Sequence, residues 1–191
     1  DYVLNNLKKK NMKLEKLIEE VEKTREKFIA SCSGLTREES NFKISEDSWS
    51  ITDIAEHIVR ADWGGTNGIW YAADGYKNNT PVWSGENENE GLSIEEIVEK
   101  TWLKHQPAPE PAKPQWGGPI EFWLINLKNC SATLSSTYEM LKGLDPEKII
   151  YPHPISGPLN VLQRMEFLRY HMERHMKQID RKSTRLNSSH V

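Results

Sequence analysis

The sequence contains few of the features that would place the protein outside the cell or in a membrane. It has two cysteines in 191 residues, Cys32 and Cys130, which are too few for the disulfide framework of a small secreted domain. Each falls within a predicted helix, where a free cysteine behaves as a small apolar side chain. No apolar run reaches the roughly 18 residues of a membrane-spanning helix, and no apolar segment of a secretory signal is visible. We therefore predict a cytoplasmic protein with no membrane partner.

Positive charge is slightly outnumbered by negative charge, and the motifs of several enzyme classes are missing. Lysine and arginine total 25 against 28 aspartate and glutamate residues, so the formal net charge is −3. This balance does not favour binding to a polyanion, and we predict no nucleic-acid partner. The chain has no glycine-rich phosphate loop, no strand–turn–helix nucleophile motif and no Cys-x-x-Cys pair. These absences argue against nucleotide-binding, serine hydrolase and thiol-redox folds.

The apolar residues that are present predict an all-α protein. Hydrophobic residues make up 37% of the chain, which is a low fraction, and seven tryptophans contribute to a modest core. Apolar residues recur at helical spacing over four long segments, which predicts a four-helix bundle. The predicted helices cover roughly 13–32, a segment from residue 51 that weakens at Gly64 and Gly65, then 120–142, and a last segment from residue 161 onwards.

Capping patterns mark where helices begin. A side chain that can cap a first turn is followed three residues later by an acid or amide in four places. These pairs are Thr36 with Glu39, Ser50 with Asp53, Ser93 with Glu96, and Asn160 with Gln163. The third pair opens a short extra helix (92–103) in a long connection between helices two and three.

The same long connection carries a polar loop at 74–92 and an extended proline-rich loop at 106–114. Its length allows a crossover, so the helix order is left open. Residues 152–158 are predicted to form a tight loop.

Both ends of the chain differ from the middle. Residues 1–11 precede the first methionine, Met12, and the polar, aperiodic residues 183–191 resemble translated vector sequence. We predict a single domain over residues 12–182. Residues 1–11 are then a non-native or disordered extension, and 183–191 a non-native tail.

A pair of histidines carries the strongest chemical signal. His171 and His175 are four residues apart in a predicted helix, so their imidazoles lie on one face. That face is otherwise apolar, and polar rings buried there need partners. A divalent metal would satisfy both rings, and His57, on the apolar face of the second helix, could complete the set. Three imidazoles with an open coordination position are typical of a catalytic zinc site. Nickel, iron and manganese also accept imidazole ligands. The alternative without a metal is that these histidines are exposed or hydrogen-bonded.

Other polar residues are weaker candidates for a site. His105 is predicted to be solvated, and His153, which lies between two prolines, to stabilise a rigid turn. Gln178 and Asp53 each lie about one turn from a candidate ligand and could orient its ring, although a capping role is preferred for Asp53. No glutamate stands three residues before any of the three histidines, so the Glu-x-x-His pattern of di-iron bundles is absent.

Three segments in combination resemble a known family. They are DSWSITDIAEH at 47–57, YPHPISGPLN at 151–160 and FLRYHMERHMKQI at 167–179. Together they resemble the DinB-like (DinB/YfiT) superfamily, over roughly residues 14–179. The resemblance implies a four-helix bundle that holds a divalent metal, with zinc or nickel expected, through His57, His171 and His175. The middle of the chain carries no signature of the family, so the resemblance does not define a substrate.

The resemblance also implies a class of chemistry. Relatives include S-transferases that use low-molecular-weight thiols such as bacillithiol or mycothiol, a thiol-dependent isomerase and proposed metal-dependent hydrolases. We therefore expect a metal-dependent transferase that uses such a thiol on a small-molecule substrate, in detoxification or stress. Arg60, Arg169 and Arg174 are candidate contacts for carboxylates of the thiol. The alternatives are a hydrolase with a metal-activated water and a non-enzymatic metal- or ligand-binding stress protein. A homodimer is compatible with each of these functions.

Overall fold

Helices form most of the chain. The computed structural model describes the backbone of residues 2–189 and the side chains of residues 2–182. Its elements in chain order are helix α1 (Tyr2–Cys32), the short α2 (Arg37–Asn41), α3 (Ile51–Lys77), the short α4 (Ile94–Thr101), a 3₁₀ turn (Glu110–Ala112), α5 (Ile120–Leu141), strands β1 (Ile150–His153) and β2 (Gly157–Asn160), and α6 (Val161–Ser189). Within the described residues, no helix combines the length and the apolar character needed to cross a membrane.

The four long helices form the predicted bundle, but their order is not a simple up-and-down sequence. α1 packs against α5 and α6, and α3 packs against the same two helices. Therefore α1 and α3 lie on one diagonal of the bundle, and α5 and α6 lie on the other. The long connection 78–119 joins the neighbours α3 and α5. The connections that cross the bundle are the shorter ones: residues 33–50 join α1 to α3, and residues 142–160 join α5 to α6.

The capping pairs predicted from the sequence all form in the structure. In each pair the side chain of the first residue accepts the backbone N–H of the second, and the second side chain accepts the backbone N–H of the first. The pairs are Thr36 with Glu39, Ser50 with Asp53, Ser93 with Glu96, and Asn160 with Gln163. Because a cap satisfies amides that the helix leaves unpaired, each contributes about 1 kcal/mol and determines where its helix begins.

Helix α3 is longer and more regular than the sequence predicts. It continues through Gly64 and Gly65 and ends at Lys77, so the predicted loop begins a few residues later. A further glycine, Gly68, lies against the ring of Tyr151 on β1, and a Cβ atom at this position would overlap that ring. Glycine costs a helix about 1 kcal/mol relative to alanine. Here it allows the strand to pack directly onto α3.

A two-stranded antiparallel hairpin of β1 and β2 replaces the tight loop predicted over residues 152–158. Pro152 and Pro158 face each other across the hairpin. Proline lacks the N–H group that a strand donates and is therefore rare in strands, except at sheet edges. Both strands of a two-stranded sheet are edges, so the prolines are tolerated here. The same prolines are the reason that the sequence pattern does not predict the strands.

The first helix begins earlier than the sequence predicts. α1 starts at Tyr2, so residues 2–11 are helical and continuous with the helix predicted from residue 13. Within this segment, Nζ of Lys10 lies 2.8 Å from a carboxylate oxygen of Asp145 and 2.9 Å from one of Glu147. These ion pairs join the start of α1 to the connection that follows α5.

The last helix continues past the predicted end of the domain. The backbone of α6 extends to Ser189. Of the predicted tail, the side chains of 183–189 and all of residues 190–191 lie outside the described residues. The domain limits of 12–182, and the non-native origin of both ends, stay predictions.

The core contains a buried ion pair among apolar side chains. Arg25 of α1 and Asp62 of α3 are 1% and 4% exposed, and Nη2 of the arginine lies 2.8 Å from Oδ2 of the aspartate. Arg25 also donates to the hydroxyl of Ser131 on α5 (3.2 Å) and contacts Glu22 on its own helix. The pair joins the two diagonal helices, and either charge left alone in the core would be strongly destabilising.

Both cysteines are buried, as predicted. Cys32 ends α1 and Cys130 lies within α5, and neither is more than 2% exposed. Burial raises the pKa of the Cys32 thiol to about 11. Burial, with a contribution from Asp62, raises the pKa of the Cys130 thiol to about 12. Neither thiol is therefore a nucleophile at neutral pH.

Candidate metal centre

Three histidines from two helices converge on one point. His57 comes from α3, and His171 and His175 come from successive turns of α6. Nε2 of His171 lies 2.9 Å from Nε2 of His57 and 3.1 Å from Nε2 of His175. The three side chains are 4–6% exposed, and an atom of each lies within 4.8 Å of the other two. The structure thus brings together the three histidines that sequence analysis singled out.

Hydrogen bonds orient two of the three rings. Nδ1 of His57 donates to the backbone carbonyl oxygen of Ala112 (2.7 Å), and Nδ1 of His175 donates to Oε1 of Gln178 (2.9 Å). Because a carbonyl oxygen only accepts, the ring proton is on Nδ1 and the lone pair of Nε2 faces the cluster. Gln178 therefore orients His175, as the sequence predicts, whereas Asp53 caps α3.

The donor set fits a divalent cation. Burial lowers the pKa of all three histidines, to about 3 for His175, and the neighbouring rings lower those of His171 and His175 further. The rings are therefore neutral at pH 7, and the Nε2 lone pairs of His57 and His175 face Nε2 of His171. Nitrogen ligands of a tetrahedral zinc ion, at about 2.0–2.1 Å from the metal, lie about 3.3 Å apart. Two of the three Nε2 separations, 2.9 and 3.1 Å, are close to that value, and ligand atoms of all three histidines lie within 4.8 Å of one another.

A buried glutamate, Glu56, holds the proline-rich segment (residues 106–117), which also supplies the Ala112 carbonyl. Its carboxylate is fully buried. It accepts hydrogen bonds of 2.6–3.1 Å from three consecutive backbone N–H groups, those of Gln115, Trp116 and Gly117. Since Glu56 precedes His57 in α3, two adjacent side chains hold the segment at two points. Sequence analysis missed this residue because glutamates are almost always solvated unless they are paired.

Replacing Glu56 with glutamine is expected to loosen the proline-rich segment and weaken metal binding. A neutral amide accepts more weakly than a carboxylate and places N–H donors against backbone N–H groups. We expect faster hydrogen exchange over residues 110–117 and metal affinity lower by about 10–100-fold, the usual effect of losing a group that supports a ligand. Mass spectrometry and metal titration measure the two quantities.

The matched control for this variant is Glu110→Gln. Glu110 lies in the same segment, is exposed and pairs with Lys113. Its replacement should therefore change neither the hydrogen exchange of residues 110–117 nor the metal affinity. Unchanged exchange in Glu56→Gln would show that the carboxylate does not hold the segment.

The histidine cluster forms part of the wall of a cavity of about 1000 Å³. Apolar and aromatic side chains such as Ile54, Trp102 and Leu168 form much of this wall. Among the described lining residues, Asp47 is the single carboxylate, and six side chains are positive: Arg60, Lys113, Arg164, Arg174, Arg181 and Lys182. The volume suits a small organic molecule, and the charge favours an anion.

Two of the three arginines proposed from the sequence line this cavity. Arg60 and Arg174 are in its wall. Arg169 is not, and it forms ion pairs with Glu95 and Glu173 instead. Sequence analysis missed Arg164, which is buried in the wall. The sequence feature that could have identified Arg164 is its position seven residues before His171, because that spacing places both side chains on one helical face.

The other described histidines lie outside the cluster. His105 is exposed, as predicted, and lines the cavity. His153 is buried, and its Nδ1 accepts hydrogen bonds from the backbone N–H groups of Ile155 (3.2 Å) and Ser156 (3.1 Å). It thereby stabilises the hairpin turn, as predicted. Burial, with a contribution from Arg164, lowers the pKa of His153 to about 3.

Comparisons with known proteins identify similar folds. The chain is similar to YfiT from Bacillus subtilis, which is described as "a probable metal-dependent hydrolase with an unusual four-helix bundle topology"; the identity is 14%, the TM-score is 0.60, and 91% of this chain and 87% of that chain are covered. It is also similar to TT2238, "a four-helix bundle protein", with 15% identity, a TM-score of 0.56, and 87% and 98% coverage. A comparison with curated protein sequences finds no match.

A family comparison covers most of the chain. The sequence model of the DinB superfamily matches residues 20–179. This range includes the three histidines, the proline-rich segment, all of α3 and α5, most of α6 and the second part of α1. The chain therefore belongs to the DinB superfamily.

Proposed function

We propose that this protein is a divalent-metal-dependent enzyme for small organic molecules, and specifically a transferase that uses a low-molecular-weight thiol. The observation that carries the proposal is the position of three buried histidine Nε2 atoms in the wall of a large cavity. His57, His171 and His175 would hold the ion and leave its remaining positions toward the cavity, as in catalytic sites. Zinc and nickel both suit three imidazoles.

The residues around the cluster have separable roles. A divalent ion held there would supply a Lewis acid that lowers the pKa of a thiol or of water. Hydrogen bonds from His57 to Ala112 and from His175 to Gln178 keep the ring lone pairs directed at one point, which supports metal affinity. The apolar part of the cavity wall excludes water and strengthens electrostatic interactions within the site.

The surroundings of the histidines favour a thiol over water as the activated group. Hydrolysis by an activated water commonly uses a carboxylate or histidine base near the metal. Asp47 is the single carboxylate among the described lining residues, and Glu56 is engaged by backbone N–H groups. The two described lining histidines outside the cluster are His105, which is exposed, and His153, whose Nδ1 already accepts two backbone N–H groups. A thiol that coordinated an ion held there would lose its proton without a dedicated base. The positive wall also suits a thiol that carries carboxylates.

A metal-dependent hydrolase is the second candidate. It is favoured by the similarity to YfiT from Bacillus subtilis, with its description as a probable enzyme of that class. Asp47 would then be the base, because it lines the same cavity. The Asp47→Asn variant separates the two candidates, since it should abolish hydrolysis and leave thiol transfer unchanged. The cytoplasmic location, the lack of a nucleic-acid partner and the homodimer stay predictions.

Cobalt(II)-substituted protein tests the proposal. Titration with β-mercaptoethanol is expected to produce a sulfur-to-cobalt charge-transfer band, since an ion held by three histidines retains a position for the thiol. The His57→Ala variant should lose the cobalt and the band together. His153→Asn, which changes a buried histidine outside the cluster, should retain both. Transfer of the thiol to an aryl halide then establishes the reaction class.

Each other outcome has a distinct meaning. Cobalt binding with ester hydrolysis but no thiol band would favour the hydrolase. Cobalt binding with neither activity would leave a metal-binding stress protein. Failure to bind cobalt or zinc after reconstitution would refute the metal centre itself.

A further inference from the structure

One arginine in the cavity wall is buried without a negative partner. Arg164 of α6 is 5% exposed, and its Nε has no hydrogen-bond partner. No carboxylate of the described residues forms an ion pair with it. The guanidinium carbon lies 5.2 Å from the centre of the Tyr151 ring. By contrast, the similarly buried Arg25 has Asp62 at 2.8 Å.

An unpaired cation in this position is unfavourable for the free protein. Burial lowers the pKa of Arg164 to about 10, so the side chain still carries its charge at neutral pH. Removing a charge from water is costly unless an opposite charge or hydrogen bonds replace the lost hydration. The face of the Tyr151 ring offsets part of that cost, but it leaves the guanidinium donors unused. An anionic ligand would gain from both the charge and the donors.

Arg164 and the histidine cluster face the same cavity. Arg164 precedes His171 by seven residues on α6, which is about two helical turns and about 10 Å along the helix axis. Phe167 and Leu168 lie between them and also line the cavity. A ligand held at one end by Arg164 would therefore need an apolar body of roughly this length to place its other end at the histidines.

We propose that Arg164 binds the carboxylate of an elongated organic anion whose apolar part lies along Phe167 and Leu168. A carboxylate suits the site better than a phosphate, because one guanidinium supplies a single positive charge and a planar pair of donors. The identification of this anion as the substrate or thiol cosubstrate rests on the proposed function. The binding of the anion by Arg164 does not.

Isothermal titration calorimetry with sodium octanoate tests this anchor. The full chain is titrated as purified and again after chelator treatment, so that binding to a metal is separated from binding to Arg164. In both states octanoate is expected to bind roughly tenfold or more tightly than octanamide, which has the same length and no charge. The preference should disappear in Arg164→Met and remain in part in Arg164→Lys. Arg169→Met changes a paired arginine of α6 outside the cavity and should keep the full preference.

The result that overturns the proposal is equal affinity for octanoate and octanamide in the wild-type protein, or a preference that survives in Arg164→Met. Thermal denaturation provides a second readout. Without ligand, Arg164→Met should melt at or above the wild-type temperature, because it removes an uncompensated charge; a lower temperature with the preference intact would assign Arg164 a structural role instead. If Arg164→Met does not fold, Arg164→Lys decides the assignment: it keeps a positive charge but loses the planar pair of donors, so an undiminished preference in that variant would overturn the proposal. The chelator-treated protein tests anion binding by Arg164 without a metal, whereas the cobalt experiment tests the metal centre. Either result can therefore be negative while the other is positive.

Discussion

The His171→Ala variant is expected to retain less than about a tenth of the roughly one equivalent of divalent metal that the wild-type chain should bind. Nε2 of His171 is the shared neighbour of the other two, at 2.9 Å from His57 and 3.1 Å from His175. Two imidazoles on different helices do not form the three-ligand set of a stable site. Elemental analysis after dialysis measures the loss.

The fold should survive this substitution. The ring lines the cavity, and alanine has the highest helix propensity, so circular dichroism should show unchanged helix content. His153→Asn is the matched control, since it alters a buried histidine outside the cluster and should leave the metal content at the wild-type level. Full metal occupancy in His171→Ala would show that the ion is held elsewhere.

The Asp62→Ala variant is expected to lower the free energy of unfolding by about 3–5 kcal/mol. The substitution leaves Arg25 in the core, 1% exposed, without the carboxylate that lies 2.8 Å from it. Glu22 cannot fully replace that carboxylate, because its own side chain is 31% exposed and remains partly hydrated. Urea denaturation with a constant dependence on denaturant measures the effect.

Two further variants show whether the cost comes from the unpaired charge. Asp74→Ala removes an exposed carboxylate from the same helix and should change the free energy by no more than about 0.5 kcal/mol. The double variant Arg25→Met with Asp62→Leu should recover most of the loss, because it replaces both charges with apolar groups. A cost below about 1 kcal/mol for Asp62→Ala would mean that water reaches the pair.

The sequence predicts the features that depend on neighbours within one helix. The start of α3 follows from Ser50 and Asp53, because a capping pair acts over three residues. The placement of His171 and His175 on one face follows from their spacing. Helix α5 was predicted within a residue of its observed end for the same reason, since Gly143 stops a regular apolar repeat.

The apolar face of the second helix made His57 a candidate ligand, and the family resemblance placed it in one set with His171 and His175, which local spacing could not do alone. His57 and His171 are 114 residues apart in the chain, and the helical pattern of α3 indicates only that His57 faces the core. The resemblance supplied their proximity, and the packing of α3 against α6 in the structure agrees with it.

The tertiary structure alone decided which polar groups act together. Nothing in the pattern around Glu56 shows that its carboxylate binds backbone N–H groups about 60 residues later, and nothing around Arg164 shows that it lacks a partner. The diagonal arrangement of the helices and the proline-containing hairpin were also hidden. Periodicity indicates which side of a helix is apolar, and capping indicates where the helix begins, because both depend on interactions that span a few residues. The partners of a buried charge depend on how distant segments pack, and this is where the candidate chemistry of the protein is determined.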